Sequence, residues 1–460
     1  MRMGGLTAVL VRMLRLGCGL GRAGRRRLVG PVAVGAVEVA RLVLGVALAL
    51  ALDADAEDHV QQPDGEPGAD DARAALDATV TDLAQRARET GRLGIDTEFM
   101  GEGRYRPLLC LVQVAVEDEG GEVRVEVLDP LEDDFDPGAL ADVLADPDVE
   151  IVLHAGRQDV ALLRRVWATD VTNIFDTQIA AGFAGRRAQL GYEALLSELT
   201  GVRLRKSASF TRWDARPLSE EQVRYAREDV LHLLQLADAL QEELDARGRL
   251  GWAREECRAL EDVSDERDAD AIFARLPRVN SLDPAQRAVA RELVEWREGV
   301  ARDGDRPVPS VLADAALVEI AKRRPQSLER LAQIRGLNEG TLRRRGSSIV
   351  AAVERGRGRD PIPSDGVRTP PPDAGDAPLI ALAEALVRAR AAEAELAYEL
   401  LAARADLQRI VTALREGNPE PEVRTLQGWR RELVGDELLE LLAGRRSLRV
   451  GPDRKIDVSP

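Results

Sequence analysis

Two carboxylates, Asp96 and Glu98, stand two residues apart in GIDTEFM, and Tyr225 and Asp229 stand four apart in QVRYAREDVLHLL. On a strand, residues i and i+2 share a face; on a helix, i and i+4 do. Another acid, Asp159, opens a helical run directly after a strand-like one in LHAGRQDVALL. Each has a plainer reading alone. A D-x-E pair is common in a chain with 31% charged residues, an aspartate suits a helix N-terminus, and Tyr225 beside Asp229 reads as a core tyrosine next to a solvated acid. The combination is more telling. Asp96 and Glu98 interrupt an apolar strand, where unpaired charge is costly to bury. Four carboxylates brought together from a sheet edge and two helices can hold two divalent cations about 4 Å apart, as phosphoryl chemistry requires. The cysteines (Cys18, Cys110, Cys257) and histidines (His59, His154, His232) are scattered. A disulfide framework or zinc site is therefore not expected, a reducing cytosol fits, and any metal would be a carboxylate-held Mg²⁺ or Mn²⁺.

These residues need elements to position them. DARAALDATVTDLAQRARETG reads as a helix ending at Gly91, RLGIDTEFM as a strand, and LLCLVQVAV (108–116) and VRVEVLDP (123–130) as two more. PGALADVLADPD reads as a helix, VEIVLHAG as a strand and RQDVALLRRVWA as a helix; IFDTQIAAGFAG and GYEALLSELTG continue in helical periodicity. Ser219 with Gln222 forms a capping box that sets where the Tyr225 helix begins. Val223, Val230, Leu231, Leu233 and Leu234 would turn that helix toward a core. The order predicts a mixed sheet with helices on both faces. After Leu250 the pattern is wholly helical, with a helix start at Asp283-Pro284. The plan is an unassigned tail (1–70), an α/β domain (71–260), a helical module (276–356), a Pro- and Gly-rich linker (357–378) and a second helical module (379–450).

A formal net charge of −16 argues against a plain electrostatic nucleic-acid binder. The charge is uneven, however. Between Ala321 and Asp360 eleven Lys or Arg stand against four acids, a local excess of +7. Lys322, Arg323, Arg324, Arg343, Arg344 and Arg345 belong to it, either as phosphate contacts or as a solvated face. In the tail, arginines precede the apolar LVLGVALALAL (42–52), which is short against the ~20 apolar residues of a membrane span. It reads as a start placed too far upstream or, alternatively, as a membrane anchor.

The order D-x-E, D, Y-x-x-x-D resembles the DEDD exonuclease superfamily in its tyrosine subclass; Arg224 stands where the other subclass carries histidine. IDTEFMGEGRYRPLLCLVQVA, LHAGRQDVALL, the stretch from LGYEALLSELTG to Leu234, and RPVPSVLADAALVEIAKRRP look like the ribonuclease D family, with helical modules similar to HRDC domains. The resemblance implies a ribonuclease H-like α/β exonuclease domain followed by two small all-α HRDC-like domains. It further implies that Asp96, Glu98 and Asp229 hold one metal ion, that Asp96 and Asp159 hold a second, and that Tyr225 orients the attacking water. The expected reaction is 3′–5′ hydrolysis of RNA to 5′-nucleoside monophosphates, on tRNA precursors with 3′ extensions, by a cytoplasmic monomer without a stable protein partner. The alternatives are action on DNA or other small RNAs, or an inactive nucleic-acid-binding scaffold. Phe99 and Met100 are read as a wedge at the terminal base or as core. His154 and Gln158 either support the site or touch the terminal nucleotide, and Arg205, Lys206 and Trp213 either guide single-stranded RNA or belong to a solvated loop.

Overall fold

Helix α1 (Ala69–Thr90) ends at Gly91 and delivers the chain into the central strand β1 (Arg92–Met100). The computed structural model describes residues 69–118, 120–187, 189–204, 212–363 and 373–459; the tail 1–68 lies outside it. Strands β2 (Leu108–Glu117) and β3 (Val123–Leu128) follow as an antiparallel meander. Then come α2 (Gly138–Leu144), β4 (Glu150–Leu153), α3 (Arg157–Val166), β5 (Ile174–Asp176), α4 (Thr177–Phe183) and α5 (Tyr192–Thr200). Helices α6 (Glu220–Leu231), α7 (Leu233–Ala246) and α8 (Leu250–Arg258) complete the α/β domain. The sheet order is β3-β2-β1-β4-β5, with β1, β4 and β5 parallel and β2 antiparallel to both neighbours. This is the mixed, helix-flanked architecture expected from the ribonuclease H-like resemblance.

Strand alternation divides β1 between two cores. Leu93 and Ile95 pack with Val112, Val114 and the buried side of α1. On the other face, Gly94 lets α7 approach: a Cβ there would lie 3.2 Å from Ala115 Cβ and 3.5 Å from Leu234 Cδ2. Asp96 and Glu98 continue this second face.

Two local expectations change. Ile174–Asp176 is the fifth strand rather than helix; its three residues are all buried, too short a run for any periodicity to show. The helix carrying Tyr225 breaks at His232, and Leu231 is 37% exposed. Successive helical residues point about 100° apart, so with Val230 in the core its neighbour Leu231 turns outward. Leu233 and Leu234 resume the buried face from α7.

The first helical module comprises α9 (Ala269–Ala274), α10 (Pro284–Asp303), α11 (Val308–Val311), α12 (Asp314–Arg323), α13 (Leu328–Ala332) and α14 (Glu339–Arg357) around its own core. Both halves of the Asp283–Gln286 capping box form. The module grips the loop after β1: Tyr105 Oη donates to Glu298 at 3.1 Å, and Arg267 Nη2 meets Glu298 at 3.1 Å.

The last helices, α15 (Asp376–Glu393), α16 (Tyr398–Leu401), α17 (Arg404–Arg415) and the run 428–442 with a π turn at Arg431–Gly435, share a core with the α/β domain. Trp429 sets its ring against Phe183 at 4.9 Å and stacks on Trp252 at 5.4 Å, and Arg430 pairs with Glu256 at 2.7 Å. A terminal hairpin, Ser447–Val450 with Ile456–Ser459, was not legible in the helical reading of 379–450. Among the described residues no helix is long and apolar enough to cross a membrane, and the run 42–52 lies outside them.

Candidate active site

Asp96 lies opposite Gln113 and Glu98 opposite Leu111 in the β1–β2 ladder, and the register shifts just after Glu98. Both acids therefore rise beneath α6. That helix is aimed from its start. Ser219 and Gln222 close the capping box, and Arg216, just upstream, bonds Asp129 at 2.6 Å, Trp213 O at 2.7 Å and Cys110 O at 3.0 Å. Arg216 thus pins the incoming loop to β2 and the end of β3; its role is invisible in sequence, since its partners are remote. From this fixed start, α6 brings Asp229 down onto the pair. One carboxylate oxygen from each of Asp96, Glu98 and Asp229 lies within 4.8 Å of the others.

Asp159, in the first turn of α3, is not part of that trio. Its buried carboxylate accepts a hydrogen bond from the Thr97 hydroxyl, on the residue between the two β1 acids. Thr97 went unremarked in sequence because an in-strand threonine reads as an ordinary β-former.

Burial and mutual repulsion set the electrostatics of these acids. Burial first, then Asp159, Asp229 and Glu98, hold Asp96 well above the ordinary carboxylate range. Burial, Asp229 and Asp159 push Glu98 to about 8, and burial pushes Asp229 to about 7. The Tyr225 hydroxyl hydrogen-bonds Asp229 one turn along the same helix, which partly offsets that rise. Burial and the neighbouring acids also raise Tyr225, so the phenol keeps its proton at neutral pH and works as a donor. Half-buried oxygen donors that repel one another are the chemistry of a hard divalent cation site, and the residues present fit one.

The surroundings sort the remaining expectations. Phe99 and Gln158, the chain neighbours of Glu98 and Asp159, line a cavity of about 290 Å³ with Pro107, Leu162, Val263 and Ser264. Met100 points elsewhere, into packing with Leu108, Trp213 and Tyr225. Trp213, read as an RNA guide or as part of a solvated loop, is 3% exposed and packs its ring 6.0 Å from that of Tyr225. It backs the tyrosine because the loop folds under α6, and its buried indole cannot present a stacking surface. Arg205 and Lys206 lie outside the described residues. His154 Nδ1 meets Thr177 Oγ1 at 2.9 Å, and that hydroxyl donates to Leu153 O at 3.0 Å. The ring is thereby tied to the start of α4, and its Nε2 is buried.

The turn leading into α3 is built by residues that the sequence reading passed over. Buried Asp176 accepts from the backbone N–H of Gly156 at 2.8 Å and of Gln178 at 2.8 Å, joining the β4–α3 turn to the start of α4. Gly156 is required there, since a Cβ would lie 2.7 Å from Leu153 Cβ. An aspartate ending a buried strand before a helix was the available signal.

In the first helical module, Lys322, Arg323, Arg343 and Arg344 are exposed and Arg324 is half-buried. Arg345 is committed to the Ser310 and Val311 carbonyls at 3.1 and 3.2 Å, so it holds the module together rather than reaching outward.

Comparison with known proteins agrees with this geometry. Residues 75–245 match the 3′–5′ exonuclease domain family and residues 286–353 the HRDC domain family. The chain is 37% identical over 381 residues to ribonuclease D of Gluconacetobacter diazotrophicus, covering 82% of this chain and 93% of the relative. It is 34% identical over 391 residues to that of Nitrobacter hamburgensis, covering 82% and 98%. The crystal structure of Escherichia coli RNase D, described as an exoribonuclease involved in structured RNA processing, superposes with a TM-score of 0.69 at 29% identity, covering 80% of this chain and 97% of that one. With the acids of a 3′–5′ exonuclease gathered under α6 and this relatedness along most of its length, the chain belongs to the ribonuclease D family of 3′–5′ exoribonucleases.

Proposed function

We propose that this exoribonuclease trims the 3′ ends of tRNA precursors, releasing 5′-nucleoside monophosphates with the help of two divalent cations, Mg²⁺ or Mn²⁺. The observation that carries the reading is the meeting of the Asp96, Glu98 and Asp229 carboxylates, with Tyr225 hydrogen-bonded to the last. Asp96, Glu98 and Asp229 would hold one ion, and Asp96 with Asp159 the second. The chemistry such ions supply is a more acidic water and neutralisation of charge on the phosphate. Thr97 keeps the Asp159 carboxylate ready at the edge of the site. Tyr225, protonated, gives its hydrogen bond to Asp229 in the resting protein and can turn it to the attacking water when RNA is bound. Phe99 and Leu162 offer apolar walls, and Gln158 an amide, to the terminal base in the cavity they line. The exposed Lys322, Arg323, Arg343 and Arg344 would carry the RNA backbone away from the acidic centre.

The relative from Escherichia coli processes structured RNA, which favours a folded RNA with a single-stranded 3′ tail as substrate here. We further propose that the protein acts as a monomer in the cytoplasm. The test is a panel of tRNAs with and without 3′ extensions, other small RNAs and single-stranded DNA, incubated with Mg²⁺ or Mn²⁺ and with chelator. Mononucleotide release from extended tRNA, abolished by chelator, is expected. Equal release from single-stranded DNA, or release undiminished by chelator, refutes the proposal.

A further inference from the structure

Gln113 is the direct cross-strand partner of Asp96. Opposed residues of an antiparallel pair rise from the same face, with Cβ atoms about 5 Å apart. Gln113 is fully buried, at 0% exposure, and neither the oxygen nor the nitrogen of its amide has a hydrogen-bond partner among the described residues. Its partner on the opposite side is Val127 on β3, and its own-strand neighbours on that face are the buried Leu111 and Ala115. Of these sheet neighbours, only Asp96 can accept a hydrogen bond. An orphaned amide destabilises a core, and a methionine or leucine would fill the same space without that burden. A glutamine here therefore calls for a partner in some working state of the site.

We propose that Gln113 is a positioning residue for the metal centre: its Nε2–H donates to the Asp96 carboxylate when that group is ionised and holding a cation. The amide occupies a lone pair that the cation leaves open and fixes the rotation of the carboxylate plane. It acts on the ligand and touches neither RNA nor the attacking water. The inference rests on the reading of Asp96, Glu98 and Asp229 as cation ligands. Metal sites commonly depend on such supporting hydrogen bonds, whose loss weakens metal affinity by roughly 10- to 100-fold.

The test compares the full-length parent with Asp96→Asn, Gln113→Met and Gln113→Leu. Mn²⁺ binding is followed by isothermal titration calorimetry, melting temperature is measured without metal, and kcat and KM are measured on a 3′-extended RNA. Expected for Gln113→Met is an Mn²⁺ dissociation constant raised about tenfold. Its metal-free melting temperature should equal or exceed the parent's, and kcat should fall while KM for RNA stays the same. Mn²⁺ affinity within twofold of the parent in either folded variant overturns the proposal. Loss of the metal-free fold in both variants also overturns it, because the amide would then serve the core. Failure of the underlying reading looks different: the parent would bind no Mn²⁺, or Asp96→Asn would bind it as the parent does, and the proposal for Gln113 would fall with it.

Discussion

Replacing Asp96 with Asn keeps the side chain's shape and removes one charge from the middle of the acidic cluster. Without metal, the folded chain holds protons that the unfolded chain releases: Glu98 titrates near about 8 and Asp229 near about 7, against roughly 4 for unfolded carboxylates. Within that window the folded state binds more protons than the unfolded one, so metal-free stability falls as pH rises. Each such proton is worth ~1.4 kcal/mol per pH unit. Two of them from pH 5 to 7 give on the order of 5 kcal/mol, and water entering the half-buried site reduces this to about 2–3 kcal/mol. Asn at position 96 removes a carboxyl that burial, Asp159, Asp229 and Glu98 hold protonated in the folded chain, and with it that group's share of the loss. Metal-free Asp96→Asn should therefore melt above the parent at pH 8, by roughly 3–8 °C. Mn²⁺ should raise the parent's melting temperature, more at pH 8.5 than at pH 6, and leave the variant's unchanged. Trimming should drop by about 10³ or more, since several kcal/mol of transition-state stabilisation goes with the ligand. Calorimetric melts from pH 5 to 8.5, with and without Mn²⁺, and an end-labelled RNA trimming assay measure all three. A variant that binds Mn²⁺ and trims at the parent rate refutes the metal assignment. A parent whose metal-free stability climbs from pH 5 to 8 refutes the electrostatic account.

Tyr225→Phe should lower kcat by roughly 10- to 1,000-fold while Mn²⁺ affinity by calorimetry changes little, because the phenol meets Asp229 through a hydrogen bond and not as a metal ligand. Thr97→Val should free the Asp159 carboxylate and weaken Mn²⁺ binding about tenfold, read by the same titration, with circular dichroism unchanged. Trp429→Ala opens the packing against Phe183 and Trp252 and should cost about 3–5 kcal/mol in denaturant unfolding; a smaller effect would show that the last helices are dispensable to the α/β core. Alanine at Arg323, Arg343 and Arg344 should weaken RNA binding and flatten its salt dependence by ~0.7 in log–log slope per lost phosphate contact, with single-nucleotide turnover intact.

The candidate site was legible in part, because the spacing of its residues rests on local rules. Asp96 and Glu98 share a face by strand alternation, and Tyr225 and Asp229 share one by helical spacing. Ser219 and Gln222 announce where the helix begins. Most of the strands and helices around them followed from apolar periodicity; β5 and the terminal hairpin did not. Long-range contact decided what local rules could not. Asp159, read as a contributor to a second ion, stands outside the trio and takes a hydrogen bond from Thr97 that no spacing announces. Trp213, read as an RNA contact or a solvated-loop residue, is buried behind Tyr225. The strand Ile174–Asp176 is too short to show a period, and it exists because β4 offers it a parallel edge. Arg216 and Asp176 find partners 87 and 20 residues away, separations at which spacing carries no signal. Sequence by itself determined which residues could meet on one face of one element. Which faces came together, and which polar groups found partners there, was settled by packing, because burial and hydrogen-bond satisfaction are properties of the assembled core.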